Sequence, residues 1–194
     1  MRIPAEIFKA YDIRGIVGQT LTEPLVEQIG WAIGDTAIAA GDHAVIIGWD
    51  GRPSGPGLAD ALAVGIQSAG CHAVKIGMVP TPLTYFASHY LNIGSAVSVT
   101  GSHNPPQYNG LKIVIAGRTL AGQEIQNLRH HIQYRTDAEQ PGNLLVESVT
   151  DAYIDRVSSE IKIGPATSSC GRLRQRRRRA DCTVPLPAAR LRGD

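Results

Sequence analysis

Ser102 is the residue of this sequence whose surroundings best suit it for chemistry on a ligand. It lies between Gly101 and His103 in the stretch Val99–Val114, which reads VTGSHNPPQYNGLKIV. An apolar run ends at the start of this stretch and another begins at Leu111, and the glycine and two prolines between them disfavour a helix. The pattern therefore predicts a strand, a loop that carries Ser102, and a second strand. A hydroxyl beside a glycine, on a loop held by a sheet, can be approached by a bulky ligand.

The pairing of Ser102 with His103 has a plainer interpretation, which is a polar turn between two strands. Adjacent residues of an extended chain point to opposite faces, so we do not expect these two to act as a nucleophile and its general base. A serine-hydrolase elbow is also disfavoured, because Pro105 stands where the helix of a strand-turn-helix motif would begin.

Two stretches resemble a known family. Thr100–Pro105, followed by Tyr108-Asn109-Gly110 and Lys112, closely resembles the active-site loop of the α-D-phosphohexomutases, within which it is most similar to the phosphomannomutase/phosphoglucomutase branch. The N-terminal stretch Phe8–Gly15, FKAYDIRG, is similar to one that in this family folds back beside that loop. The resemblance implies that Ser102 carries a phosphoryl group and exchanges it with a sugar phosphate.

The resemblance also implies roles for four further residues. Tyr11 and Arg14 would bind substrate, and Arg14 would offer phosphate oxygens a planar, permanently charged fork. Lys112 would bind substrate and exchange a proton with the sugar hydroxyl, and His103 would orient the loop or that hydroxyl. The alternatives are a structural salt bridge for Arg14, to Asp12 or another acid, and a solvated strand lysine for Lys112.

The family's reaction moves phosphate between O1 and O6 of a hexose through a bisphosphorylated sugar. The resemblance therefore implies a hexose phosphate substrate, of mannose or glucose, a hexose 1,6-bisphosphate as activator, and Mg²⁺. The metal would be bound by a phosphoserine oxygen of Ser102 and by the aspartates of an Asp-Gly-Asp-x-Asp-Arg loop, which this sequence does not contain. The resemblance covers the first of four family domains, so we expect no useful turnover from this chain alone.

Helical and strand patterns alternate along the chain, with short connections. Strands rich in Val and Ile are expected over residues 43–48, 72–77, 93–100 and 111–116, and amphipathic helices over 22–41, 58–70 and 124–134, with another after Pro82. This alternation predicts an α/β fold, in which helices on both faces of a mixed sheet form a three-layer α/β/α domain. The loop of Ser102 would lie at the edge formed by strand ends, where such folds bind ligands.

Several conspicuous side chains are expected to be structural. Arg52 and Ser54 belong to a turn rich in Gly and Pro, similar to an Asp-x-Arg-x-Ser turn of the family. His130 and His131 have no nearby partners that would make a metal site, so we interpret them as surface histidines.

Charge divides the chain into unlike parts. The net charge of +2 combines −4 for residues 1–163 with +6 for residues 164–194. We expect a first domain over 1–148, a linker helix over 149–166 that leads towards a second domain, and a disordered basic tail over 167–194. Nucleic-acid binding by Arg176–Arg179 is the alternative for this tail, but interleaved aromatic residues are lacking and the body of the chain is acidic.

A change of reading frame explains the tail better than an evolved arginine-rich module. Residues 168–184, read one nucleotide later with permitted codons, can encode a stretch that contains Val-Val-Asp-Cys-Gly-Asn-Gly-Val-Ala-Gly, which is similar to the start of the family's second domain. We expect the coding DNA to show an open downstream frame with an Asp-Gly-Asp loop.

The cysteine content and the apolar segments of the sequence bear on the cellular compartment of the protein. The sequence has three cysteines without paired spacing, which suggests neither a disulfide framework nor a zinc site. No signal peptide or membrane span is recognisable. We therefore expect a cytoplasmic protein. We also expect it to be monomeric.

Overall fold

A seven-stranded mixed sheet lies at the centre of the computed structural model, which describes residues 3–161. The strands are β1 (Ile13–Ile16), β2 (Ala44–Trp49), β3 (His72–Met78), β4 (Ser95–Val99), β5 (Tyr108–Ile115), β6 (Arg118–Thr119) and β7 (Leu144–Val146). Their order is β1-β5-β4-β2-β3-β7, and β6 pairs with β5. Strand β2 runs parallel to β3 and β4, and β3 runs parallel to β7, whereas β5 is antiparallel to β1, β4 and β6.

Helices cover both faces of this sheet. They are α1 (Glu23–Ala39), α2 (Gly55–Ser68), α3 (Thr81–Tyr90), α4 (Gln123–His131) and α5 (Thr150–Glu160), with short 3₁₀ helices at Ala5–Ile7 and Ile132–Tyr134. Alternate residues of β2 point to opposite faces, so Val45 and Ile47 enter the core formed with α1 and α2, while Ile46 enters the core formed with α3. The predicted three-layer α/β/α architecture is confirmed.

Helices α1 and α2 approach each other closely because glycines lie at their crossing. A Cβ atom on Gly65 would lie 1.9 Å from the carbonyl oxygen of Glu27, and one on Gly30 would lie 2.4 Å from that of Leu62. No side chain larger than hydrogen fits between the two backbones at these points. The two helices on this face of the sheet are therefore closely packed against each other.

Some elements differ from the sequence-based expectation. Strand β5 begins at Tyr108 rather than Leu111, because Tyr108, Asn109 and Gly110 pair with residues of β1. Strands β1, β6 and β7 were not predicted. Helix α1 follows Thr22 and has a proline in its first turn as expected, but the Thr22 side chain makes no capping hydrogen bond.

The first compact unit of the chain extends through Glu160. Helix α5, which the sequence analysis assigns to a linker, begins after the buried Val149, and its Tyr153 packs edge-on against Phe86 of α3. The tail expected over residues 167–194 lies outside the described residues. Across residues 3–161, no helix is both long enough and apolar enough to cross a membrane.

Candidate active site

An open cleft of about 730 Å³ lies between the N-terminal segment, β1 and the loop that joins β4 to β5. All five residues singled out from the sequence line it, namely Tyr11, Arg14, Ser102, His103 and Lys112. The strand order explains this convergence. Strand β1 pairs with β5, which places Arg14 opposite Gly110, and the Ser102 loop leaves the adjacent strand β4.

Ser102 is exposed in this cleft and has a left-handed backbone conformation, with φ of +51°. Its hydroxyl oxygen lies 3.3 Å from Nδ1 of His103. The expectation that adjacent residues must point apart is therefore wrong here, because it assumed an extended chain and the loop turns at Ser102. The histidine ring is close enough to orient the serine hydroxyl.

The side chains of Arg14 and Lys112 meet at the carboxylate of Asp12. Asp12 is only 8% exposed and forms an ion pair with the guanidinium of Arg14. The Lys112 ammonium lies 3.8 Å from the same Asp12 oxygen. Two cations and one carboxylate leave a net positive charge beside Ser102, which favours an anionic ligand. The salt bridge considered as the alternative for Arg14 is thus present, on a side chain that also lines the cleft.

The guanidinium of Arg52 lies beneath the Ser102 loop and donates all five of its hydrogen bonds. Nε donates to Asp50 at 3.3 Å. The two terminal nitrogens donate to the carbonyl oxygens of Pro105 (2.8 Å), Tyr108 (2.9 Å), Ser102 (3.0 Å) and Asn104 (2.8 Å). The structural role expected for Arg52 is therefore specific to this loop.

Asp50 and Thr100 extend this network to the backbone of Ser102. One Asp50 oxygen accepts hydrogen bonds from the Thr100 hydroxyl (2.8 Å) and the Gly101 amide (3.3 Å). The Thr100 hydroxyl in turn accepts the amide hydrogen of Ser102, at 2.9 Å. We call Asp50, Arg52 and Thr100 the loop clamp.

Sequence reasoning did not assign Asp12 or Asp50 to the site. Asp12 was considered only as a structural partner of Arg14. Asp50 follows β2 as Thr100 follows β4, and the parallel register pairs Trp49 with Val99. Residues just after two adjacent parallel strands lie side by side, so knowledge of the strand order would have identified Asp50.

The described residues offer a magnesium ion few ligands. Within residues 3–161 there is no group of three or more His, Cys, Asp or Glu side chains placed to hold a metal. Ser102 alone is too small a ligand set, and the Asp12 carboxylate already faces two cations. A magnesium site at Ser102 therefore requires oxygen ligands beyond those described.

The two adjacent histidines of α4 lie away from the cleft. Nε2 of His131 lies 2.9 Å from a carboxylate oxygen of Asp35, and its ring packs edge-on against Trp31. His130 is exposed. The interpretation as surface histidines therefore applies to His130, whereas His131 is half-buried in a structural contact.

Comparisons with known proteins agree with this geometry. The family model described as "Phosphoglucomutase/phosphomannomutase, alpha/beta/alpha domain I" matches residues 5–139. A phosphomannomutase/phosphoglucomutase of Pseudomonas aeruginosa PAO1 is 46% identical over 159 residues, which are 82% of this chain and 34% of that protein. A phosphoglucomutase of Neisseria gonorrhoeae is 42% identical over 163 residues, covering 83% and 35%.

A solved structure has the same fold. The crystal structure of a phosphoglucomutase/phosphomannomutase family protein from Burkholderia thailandensis matches with a TM-score of 0.80 and 41% identity, over 84% of this chain and 38% of that one. The chain thus spans about a third of the length of the curated relatives that it matches.

Proposed function

Because this chain belongs to the phosphoglucomutase/phosphomannomutase family, whose domain I it contains, we propose that it holds the phosphoserine site of a hexose-phosphate isomerase. Ser102 is the phosphoryl carrier in this proposal. The observation that carries the proposal is the position of the Ser102 hydroxyl, exposed in a cleft where Arg14 and Lys112 supply positive charge. Relatives are named for the isomerisation of mannose and glucose phosphates, and these sugars are the proposed substrates.

The proposed exchange is a displacement at phosphorus. A hydroxyl oxygen of the sugar forms a bond to the phosphorus as the bond from phosphorus to Ser102 Oγ breaks. The Lys112 ammonium gives a proton to the departing Ser102 Oγ, and the resulting amine takes the proton of the sugar hydroxyl. The reverse transfer, from the other position of the bisphosphorylated sugar, restores the phosphoserine. Arg14 stabilises the charge on the phosphoryl oxygens, and Tyr11 borders the space for the sugar.

His103 has an orienting role in this scheme. Its Nδ1 atom lies 3.3 Å from Ser102 Oγ, close enough to hold the hydroxyl in one rotamer before it accepts the phosphoryl group. A hexose 1,6-bisphosphate is the proposed donor that first loads Ser102. Magnesium would neutralise charge on the phosphoserine with the help of further ligands, and the 194 residues contain no Asp-Gly-Asp loop to provide them. We therefore propose that isomerisation by this chain alone is slow.

Phosphate mapping tests the assignment of Ser102. The chain is incubated with glucose 1,6-bisphosphate and Mg²⁺, digested, and analysed by mass spectrometry. We expect phosphate on the peptide that contains Ser102, and none there in the Ser102→Ala variant. The Ser98→Ala variant is the matched control, because Ser98 is buried near the end of β4, the strand that leads into the Ser102 loop. Phosphate on Ser98 or another residue, with Ser102 unmodified, would refute the assignment.

A further inference from the structure

We infer that Arg52 is a positioning residue for phosphoryl transfer at Ser102, an inference that rests on the function proposed above. The Arg52 side chain does not line the cleft. It acts through the loop clamp, by fixing the backbone that carries the Ser102 hydroxyl.

The hydrogen bonds of Arg52 show why it acts on the loop and not on a ligand. A guanidinium has five N–H donors, and here one is used by Asp50 and four by loop carbonyls. No donor remains for a phosphate oxygen. The adjacent Asp50 carboxylate also offsets the Arg52 charge, so this pair contributes little to the field in the cleft.

The loop needs such bonds because of its backbone conformation. Ser102 has a φ of +51°, which is unfavourable for an L residue other than glycine. Its carbonyl oxygen accepts from Arg52 at 3.0 Å, and its amide donates to the Thr100 hydroxyl at 2.9 Å. Bonds on both sides of the residue hold the strained turn in place. Without them the loop can relax to a conformation in which Oγ leaves its position in the cleft that Arg14 and Lys112 also line.

Gly101 provides a second, independent observation. A Cβ atom at this position would lie 2.4 Å from Cζ of Arg52 and 2.5 Å from its Nε. The loop backbone therefore rests directly on the guanidinium plane, and glycine is the residue that permits this contact. Substitution of Gly101 by alanine would displace the Arg52 side chain while the arginine itself remains.

The contacts of Arg52 are confined to residues next to the site. Its four carbonyl acceptors all belong to residues 102–108, and the side chain is 15% exposed at the end of the sheet, outside both apolar cores. Loss of the guanidinium thus removes loop bonds without opening a cavity in either core. This permits a test on a folded protein.

The test compares Arg52→Ala and Arg52→Lys with the wild-type chain. The first readout is amide hydrogen exchange at Ser102, measured by NMR, and the second is the rate at which Ser102 takes phosphate from glucose 1,6-bisphosphate. We expect both variants to exchange at least about tenfold faster at Ser102 and to take phosphate about tenfold or more slowly, because lysine retains the charge but not the planar fork. Gly101→Ala should change both readouts in the same direction. Added guanidinium ion should restore part of the rate in Arg52→Ala but not in Arg52→Lys.

Arg118→Ala is the matched control, since Arg118 is exposed and pairs with Glu124 away from the cleft. It should change neither readout, and the thermal unfolding midpoint of each variant establishes that it is folded. Folded Arg52→Ala with unchanged exchange at Ser102 and an unchanged phosphorylation rate would overturn the inference. If the wild-type chain takes no phosphate at Ser102, the proposed function fails instead, and the exchange measurement still decides whether Arg52 fixes the loop.

Discussion

At the scale of single residues, Asp12 joins two cations that the sequence places almost 100 positions apart. It is nearly buried, and one of its oxygens faces both Arg14 and Lys112. This carboxylate therefore does two things at once. It holds two side chains of the cleft in place, and it lowers their mutual repulsion when no anionic ligand is bound.

We expect Asp12→Asn to destabilise the protein by about 1–2 kcal/mol, since a charge-assisted, largely buried hydrogen bond becomes a neutral one. Urea unfolding measures the loss. Asp60→Asn is the control, because Asp60 pairs with Lys75 but its side chain is 61% exposed, and we expect its loss to be below about 1 kcal/mol. Equal losses for the two variants would contradict the role given to Asp12.

Cys71 provides a prediction for alkaline pH. Burial raises the pKa of its thiol to about 12, whereas a thiol in an unfolded chain ionises near pH 8.5. Between these values the unfolded chain has lost a proton that the folded chain keeps, so raising the pH favours unfolding. The contribution of the protonated thiol to the free energy of unfolding is fully present below about pH 8.5. It declines as the pH rises towards the pKa of the thiol in the folded chain.

Urea unfolding of the wild type and of Cys71→Ala, at several pH values from neutral to about 10, checks this linkage. The free energy of unfolding of the wild type should fall more steeply with pH than that of the variant, which has no thiol to ionise at this position. Parallel curves would show that the Cys71 thiol is not protected from ionisation.

The residues of the site were predictable to the extent that they belong to short stretches with distinctive sequences. Tyr11 and Arg14 lie in one such stretch, and Ser102, His103 and Lys112 lie in another. The ion pair of Asp12 with Lys112 and the bonds of Arg52 were not predictable, because they depend on which strands become neighbours. The geometry of Ser102 and His103 was missed for a related reason. A positive φ at a serine is not encoded by residue type and arises from the bonds that the loop makes with the clamp.

At the scale of secondary structure elements, the crossing of α1 and α2 depends on glycine. We expect Gly65→Ala to destabilise the protein by about 2 kcal/mol, although alanine favours a helix by about 1 kcal/mol over glycine. The reason is that the new methyl group would meet the Glu27 carbonyl and the Trp31 amide, which are backbone atoms and cannot move aside independently. Chemical denaturation measures the change.

Gly57→Ala in the same helix is the control for this substitution. Its methyl group would meet only the carboxylate of Glu23, the end of a flexible side chain that can rotate away. We therefore expect its stability to change by less than about 1 kcal/mol, with the helix-forming gain of alanine included. A similar loss at Gly57 and Gly65 would argue against backbone contact as the cause.

The elements that were predicted differ from those that were missed in whether their own residues determine the conformation. The long helices and buried strands carry periodic apolar residues, and their positions agree with the sequence pattern to within a few residues. Strand β1 contains a buried isoleucine, an arginine and a glycine in succession, and it becomes a strand by pairing with β5. Strand β7 has three residues, all exposed, and it is defined by pairing with β3. The sequences of β1 and β7 do not predict these strands, because their residues become extended only by pairing with strands that are distant in the sequence.

At the scale of the whole molecule, within the part that the structure describes (residues 3–161) both apolar cores are built from residues that precede Glu160. We therefore expect a shortened chain that ends at Ile161 to fold by itself. Circular dichroism should show a mixed α/β spectrum, and urea should unfold the fragment in one cooperative transition that coincides for different probes. A broad transition, or one that differs between fluorescence and circular dichroism, would contradict this expectation.

The hydrogen bonds from Arg52 to main-chain carbonyl oxygens also have a consequence for protein engineering. Hydrogen bonds to main-chain atoms are indifferent to the side chains of residues 102–108, and of the residues that the guanidinium touches only Gly101 is fixed by size. The loop can therefore serve as a scaffold on which the nucleophile is exchanged, for example by Ser102→Cys, while its path through space is retained.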